Sequence, residues 1–152
     1  MESLCRPMGR SIRALAESDP ARGSRRSTQS HVAWQLRRGI PEIPSPLCSR
    51  GRLYLVRDGG LVQCVRPGTG EVIHEDRLGV GGSYCAPPLA ASGRIYLVSH
   101  AGTVVVLDGT SDRLQMLATN LLGGKIWATP ALAENTLYVR TEKHLYAFSA
   151  RQ

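Results

Sequence analysis

No apolar run in this chain is longer than a β-strand. The longest, such as Thr103–Leu107, fall far short of the roughly 20 apolar residues that a membrane-crossing helix needs. A transmembrane helix is therefore excluded. Residues 1–30 lack the apolar core of about 7–15 residues that a secretory signal requires, because their longest apolar run is Ala14–Ala16. No apolar region follows Arg25 and Arg26, so a twin-arginine signal is not expected either. Lysine is scarce: arginine supplies 17 of the 19 basic residues. Residues 1–40 carry a net charge of +5 and residues 41–152 only +2, so the basicity belongs to the N-terminal segment. Those arginines have no aromatic platform beside them, and no nucleic-acid partner is expected.

Catalytic signatures are missing as well. His31, His74, His100 and His144 lie far apart, with no HExxH or CxxC spacing for a metal. No GxSxG elbow occurs. The glycine run at 79–82 lacks the strand–GxGxxG–helix context of a dinucleotide site. No two cysteines are adjacent. Cys5, Cys48, Cys64 and Cys85 allow three disulfide pairings in two bonds. Cys48 and Cys64 fall on strands separated by a third, a span of about 9–10 Å that no disulfide bridges. Free, mostly buried thiols are expected.

What the sequence does contain is a repeat. "GRLYLV" at 51–56 returns as "GRIYLV" at 93–98 and, blurred, as "NTLYVR" at 135–140. Tyr54, Tyr96 and Tyr138 are spaced by 42 residues, and so are Pro46, Pro88 and Pro130. Gly51 and Gly93 coincide with Asn135, and asparagine tolerates a left-handed backbone better than most non-glycine residues. One shared turn geometry follows. Within each period, runs of four to seven residues rich in Val, Leu, Ile and Tyr are separated by Gly, Asp and Pro, the pattern of antiparallel hairpins. "LYLV" is apolar at consecutive positions, which predicts a strand covered on both faces. Proline suits an edge strand or a strand start. Four strands per period of about 40 residues indicate stacked propeller blades.

Read together, these turns resemble the repeat of quinoprotein-type, PQQ-like β-propellers. Thr69, Gly70 and Glu71 match that family's Thr-Gly-Lys/Glu turn. The tryptophan that follows it in the family, and docks neighbouring blades, is His74 here and Met116 in the second unit. Trp34 is the candidate docking tryptophan of a blade whose other strands are missing. The resemblance covers about residues 31–152, and "RTEKHLYAF" is similar to the family's closing strands. It implies an all-β partial propeller of about 2.7 four-stranded antiparallel blades. The predicted organisation is a disordered basic tail at 1–30, then repeats at 31–152. These divide into a remnant outer strand at 31–40, blades at 41–81 and 83–124, and a three-strand terminal blade at 125–152.

Closed propellers need about 4–8 blades. The chain is accordingly read as the C-terminal part of a propeller, completed by missing blades or by another subunit, and as prone to self-association. Some relatives are quinone-dependent dehydrogenases. They stack pyrroloquinoline quinone (PQQ) on a disulfide of adjacent cysteines and bind calcium with Glu, Asn and Asp. Others, such as outer-membrane assembly lipoproteins, use the ring to bind proteins. Asp58, Asp108 and Asp112 lie in turns, where aspartate is ordinary. The expectation is therefore a non-catalytic scaffold or interaction module with a protein partner, no cofactor, no metal and no catalytic residue. The rival is a fragment of a PQQ-dependent oxidoreductase; a third reading is a shortened chain with no independent function. The family is often exported or periplasmic, but this chain assigns itself no compartment. The loops before the innermost strands are the candidate interaction site at the channel mouth, with Glu42, Tyr84 and Trp127 as its residues. The alternative is that Tyr84 and Trp127 only pack between blades.

Overall fold

The computed structural model describes residues 32–149 and, for the backbone alone, residues 12–15. Thirteen strands and no helix occur among them. The first full blade contains β3 (Leu47–Ser49), β4 (Arg52–Arg57), β5 (Leu61–Val65) and β6 (Val72–Arg77). The second contains β7 (Leu89–Ala91), β8 (Arg94–Val98), β9 (Thr103–Asp108) and β10 (Met116–Leu121). The third has three strands: β11 (Ala131–Ala133), β12 (Thr136–Arg140) and β13 (Leu145–Ser149). Each blade is antiparallel, and its strands lie in chain order.

The 42-residue period is a structural register. Leu47 pairs with Tyr54, Leu89 with Tyr96, and Ala131 with Tyr138. Each innermost strand starts directly after Pro46, Pro88 or Pro130, where the missing N–H costs no ladder bond. The turns between the first two strands all place two residues at positive φ: Arg50 and Gly51, Ser92 and Gly93, Glu134 and Asn135. Asn135, at φ 63°, occupies the glycine position as its chemistry allows.

Two departures from the period matter. Val106 pairs with Ala118, whereas Cys64 pairs with His74. The turn after β9 is two residues longer than the turn after β5. The structural counterpart of His74 is thus Ala118, not Met116 as a fixed 42-residue shift suggests. The link from β10 to β11 is shorter by the same amount, so the period recovers. In the third blade, Tyr138 pairs with Ala147, one residue short of the shift, because the 141–144 hairpin has lost a residue.

Consecutive apolar residues cover both faces, as "LYLV" predicts. Tyr54, Val56, Val62 and Cys64 on one face of the first blade pack with Ile95, Leu97, Val105 and Leu107 of the second. Full burial of a side chain of that size contributes about 1.5–3 kcal/mol. The opposite face is covered too. Leu55 and Val65 are fully buried, and Gln63 lies directly under Gly39. Residues 39, 41 and 44, all buried, run across it. The first blade thus does not present the open face expected of the first unit in an incomplete ring.

Ahead of it, β1 (Ile12–Leu15) pairs with β2 (Val32–Leu36). β2 falls within the segment 31–40, and β1 is not foreseen, because "IRAL" is too short and too basic to stand out. The rest of that tail, with Arg25, Arg26 and Cys5, lies outside the described residues.

Candidate functional site

Backbone clips hold the blades at the end where the site was expected. The hairpin between the second and third strands of each blade meets an inter-blade link: Gly59 bonds to the link that leaves its blade, whereas His100 and Glu142, 42 residues apart, bond to the link that enters theirs. Gly59 N–H donates to the Gly82 carbonyl at 2.7 Å, His100 N–H to that of Ser83 at 2.7 Å, and Glu142 N–H to that of Lys125 at 2.8 Å. Asp58 accepts from the Tyr84 N–H at 2.7 Å and the Ser83 hydroxyl at 3.0 Å. Forty-two residues on, the His100 carbonyl accepts from the Ile126 N–H at 3.2 Å. One capture is made by a side chain and the other by the backbone, so the clip constrains position more than sequence.

The three predicted site residues fare differently. Glu42 is exposed. Tyr84 belongs to the core shared by the first two blades, and its hydroxyl donates to the Val80 carbonyl at 3.0 Å. Burial pushes its phenol up to about 12. Tyr84 therefore offers neither a surface nor a titrating group to a partner. Trp127 is 59% exposed and meets His100 edge-on, with ring centroids 3.9 Å apart. Of the three, Glu42 and Trp127 are at the surface.

The three turn aspartates weighed for a quinone and calcium site are already engaged. Asp58 holds the link described above. Asp108 accepts from the backbone and hydroxyl of Thr110, which draws its carboxyl below the usual range. Asp112 is paired with Arg52 of the first blade. No group of three metal-binding side chains occurs among the described residues. Cys48 and Cys64 lie on β3 and β5 with β4 between them, so they cannot form the adjacent pair on which the quinone stacks. The three described cysteines are free, as expected, but Cys64 alone is buried and Cys48 is exposed. These residues do not fit PQQ or its calcium.

Trp34 performs the docking role that its sequence position suggests. Its indole N–H donates to the Pro67 carbonyl at 2.6 Å, and its ring lies against Gly70, where a Cβ would collide. β2 is thereby fixed to the Thr69-Gly70-Glu71 turn of the first blade. No tryptophan occupies the same place between the first and second blades. Arg52 ties them instead, donating to the Ser111 carbonyl at 2.5 Å and pairing with Asp112.

The second and third blades are held differently. Ala86, Val98, Val104, Ile126 and Val139 form a small core between them. Beyond it the blades part around a cleft of about 1150 Å³, lined by Tyr96, Val106, Leu121, Leu137 and Phe148 among others. Phe148 is 44% exposed and Leu121 75%. β13 pairs only with β12, so its outer edge is free of a strand partner among the described residues. Sequence reading missed this cleft. Its signal was the recurrence of Arg52 as Arg94 one period later.

The sequence profile of the family described as outer membrane protein assembly factor BamB matches residues 10–116. No curated protein is significantly similar in sequence. Among solved structures, BamB from Moraxella catarrhalis superposes with a TM-score of 0.64 at 18% identity, over 78% of this chain and 37% of that one. The chain thus spans little more than a third of that protein's length, and at this identity the likeness concerns the fold. The profile match covers most of the chain and agrees with the propeller blades built above: the chain belongs to the BamB family of PQQ-like β-propeller repeat proteins.

Proposed function

We propose that this chain is a non-catalytic propeller segment that binds protein, in the setting named by its family, the assembly of outer-membrane proteins. One observation carries the reading. Asp58, Asp108 and Asp112 are committed to contacts within the fold, while the large cleft mixes apolar and polar side chains and borders a strand edge with no strand partner among the described residues. Such a surface suits a polypeptide, which supplies backbone hydrogen bonds and apolar side chains together. Its charged side chains, Arg94 and Glu134, stand among apolar and uncharged polar ones, and no group of three metal-binding side chains occurs there or elsewhere among the described residues.

The test has two arms. The purified chain is mixed with PQQ and calcium, then assayed for a bound chromophore and for alcohol-dependent dye reduction. Neither is expected; a stoichiometric chromophore with turnover would overturn the reading in favour of a dehydrogenase fragment. In the second arm, the immobilised chain is exposed to a urea-unfolded outer-membrane β-barrel protein diluted into buffer. Saturable retention is expected, and its absence counts against protein binding.

A further inference from the structure

Arg52 and Arg94 are equivalent residues at the start of the second strand in consecutive blades. Arg52 reaches across to the next blade and grips the turn between its third and fourth strands, through the Ser111 carbonyl and the Asp112 carboxylate. That turn carries Leu114, which packs against the shared core, and leads into β10, the fourth strand. Anchor, turn and strand together close the space between the first and second blades.

Arg94 is exposed and lines the cleft between the second and third blades. The third blade has no fourth strand among the described residues, and β13 presents the edge on which one would pair. Tyr96 and Phe148 line the same cleft. One interface of this molecule is thus a template for what its other interface lacks.

We propose that Arg94 and the free edge of β13 form a receptor for an extended segment of another polypeptide, which adds as the fourth strand of the third blade and sets a carboxylate on Arg94. The proposal rests on the protein-binding reading above and adds its site, its anchor and the partner's chemistry. Three features support a strand as the occupant. The β13 backbone continues an existing antiparallel ladder, and unpaired edge groups are a ready template. The cleft of about 1150 Å³ has room for side chains on the strand's inner face. Arg94 supplies the charge that Arg52 uses against Asp112. The favoured partner carries an acidic residue, an apolar residue two positions later as in Asp112 and Leu114, and then a strand.

The chain's own template supplies the probe. A labelled peptide with the sequence of residues 108–121, DGTSDRLQMLATNL, is titrated into the full-length protein by fluorescence anisotropy. Saturable binding is expected. Arg94→Ala should weaken it about fivefold to tenfold, as should the Asp112→Asn change made in the peptide. The two changes together should weaken it no more than either alone. Arg77→Ala, on the outer strand of the first blade, should leave it unchanged. Hydrogen exchange should slow at 145–149 when the peptide binds. The peptide-side change leaves the protein untouched, so a folding defect in the Arg94 variant cannot mimic the result. Absence of binding overturns the proposal. So does binding indifferent to Arg94, faster exchange in β10 that marks displacement of the protein's own strand, or protection of 145–149 in a dimer without peptide. Retention of the unfolded barrel protein without competition from this peptide overturns the proposal while leaving the protein-binding reading intact.

Discussion

Arg52, on the second strand of one blade, is ion-paired with Asp112 in a turn of the next. The two ends of this pair are unequally placed. The Asp112 side chain is 88% exposed and that of Arg52 only 19%. An ion pair with so exposed a carboxylate contributes little, so Asp112→Asn should cost about 0.5 kcal/mol or less. Arg52 also donates to the Ser111 carbonyl and packs its stem at the interface. Arg52→Ala should cost more, about 1–2 kcal/mol, chiefly through lost packing and that hydrogen bond. Urea unfolding of the two variants checks the order.

Glycines in this fold fall into two kinds that look alike in sequence. A Cβ on Gly60 would come to 2.3 Å from the Val80 carbonyl oxygen, and one on Gly102 to 2.3 Å from that of Gly124. Both are backbone atoms and both glycines have positive φ. Gly60→Ala and Gly102→Ala should each cost more than about 2 kcal/mol, because collision and strain add. Gly51 has open space around it and an asparagine at its counterpart, Asn135. Gly51→Asn should stay within about 1 kcal/mol of the parent. Thermal melts of the three variants separate the kinds.

The repeat explains how far sequence reading reaches here. Tyr54, Tyr96 and Tyr138 mark the register because one strand position recurs under one set of contacts. The turns at Gly51, Gly93 and Asn135 are legible because few residues tolerate positive φ. Shifts that cancel are not legible: the two-residue change that puts Ala118 opposite Val106 leaves the period intact. Nor did the apolar letters show which faces find a partner. Leu55 is fully buried and its cross-strand neighbour Gln63 lies under Gly39, at the end of the segment read as a remnant outer strand, while Phe148 on an equally apolar strand is left half bare. Tyr84 was chosen for its place before an inner strand, but a large side chain there packs inward as readily as outward.

His74 gives the fold a pH dependence. Burial is the main influence holding its imidazole below the usual histidine range, and the Arg52 guanidinium adds to it while Asp76 opposes both. Its buried Nδ1 has no hydrogen-bond partner. Because the folded pKa is lowered, the unfolded chain binds the proton more readily. Stability is therefore unaffected well above about pH 6.5 and is lost as pH falls below it toward the folded value. Unfolding free energy measured between pH 7.5 and 5.5 should decline on the acid side. His74→Gln should flatten that decline.

The two tryptophans should report different surroundings. Trp34→Ala should destabilise by about 2–3 kcal/mol, from lost packing on Gly70 and the lost bond to Pro67. Trp127→Ala should cost under about 1 kcal/mol, since its ring is mostly in solvent. In the parent protein, iodide should quench Trp127 emission strongly and Trp34 emission weakly. Quenching measured in each single-tryptophan variant decides this.

The account's central claim is that blades docked on both faces are followed by one whose last strand has no outer partner among the described residues. Between Ala131 and Ser149 the buried residues are Val139 and Thr141, whereas β4, β5, β8 and β9 are largely buried. Stability in stacked repeats is a sum of unit and interface terms, so the blade with one interface opens first. Native-state hydrogen exchange on the full chain tests this most directly. Amides of β4, β5, β8 and β9 should exchange together and slowest, and those of β12 and β13 measurably faster. Addition of a strand partner should slow β13 alone. Equal protection of all three blades in a monomer without a partner would contradict the claim, because it would mean that the third blade is already capped.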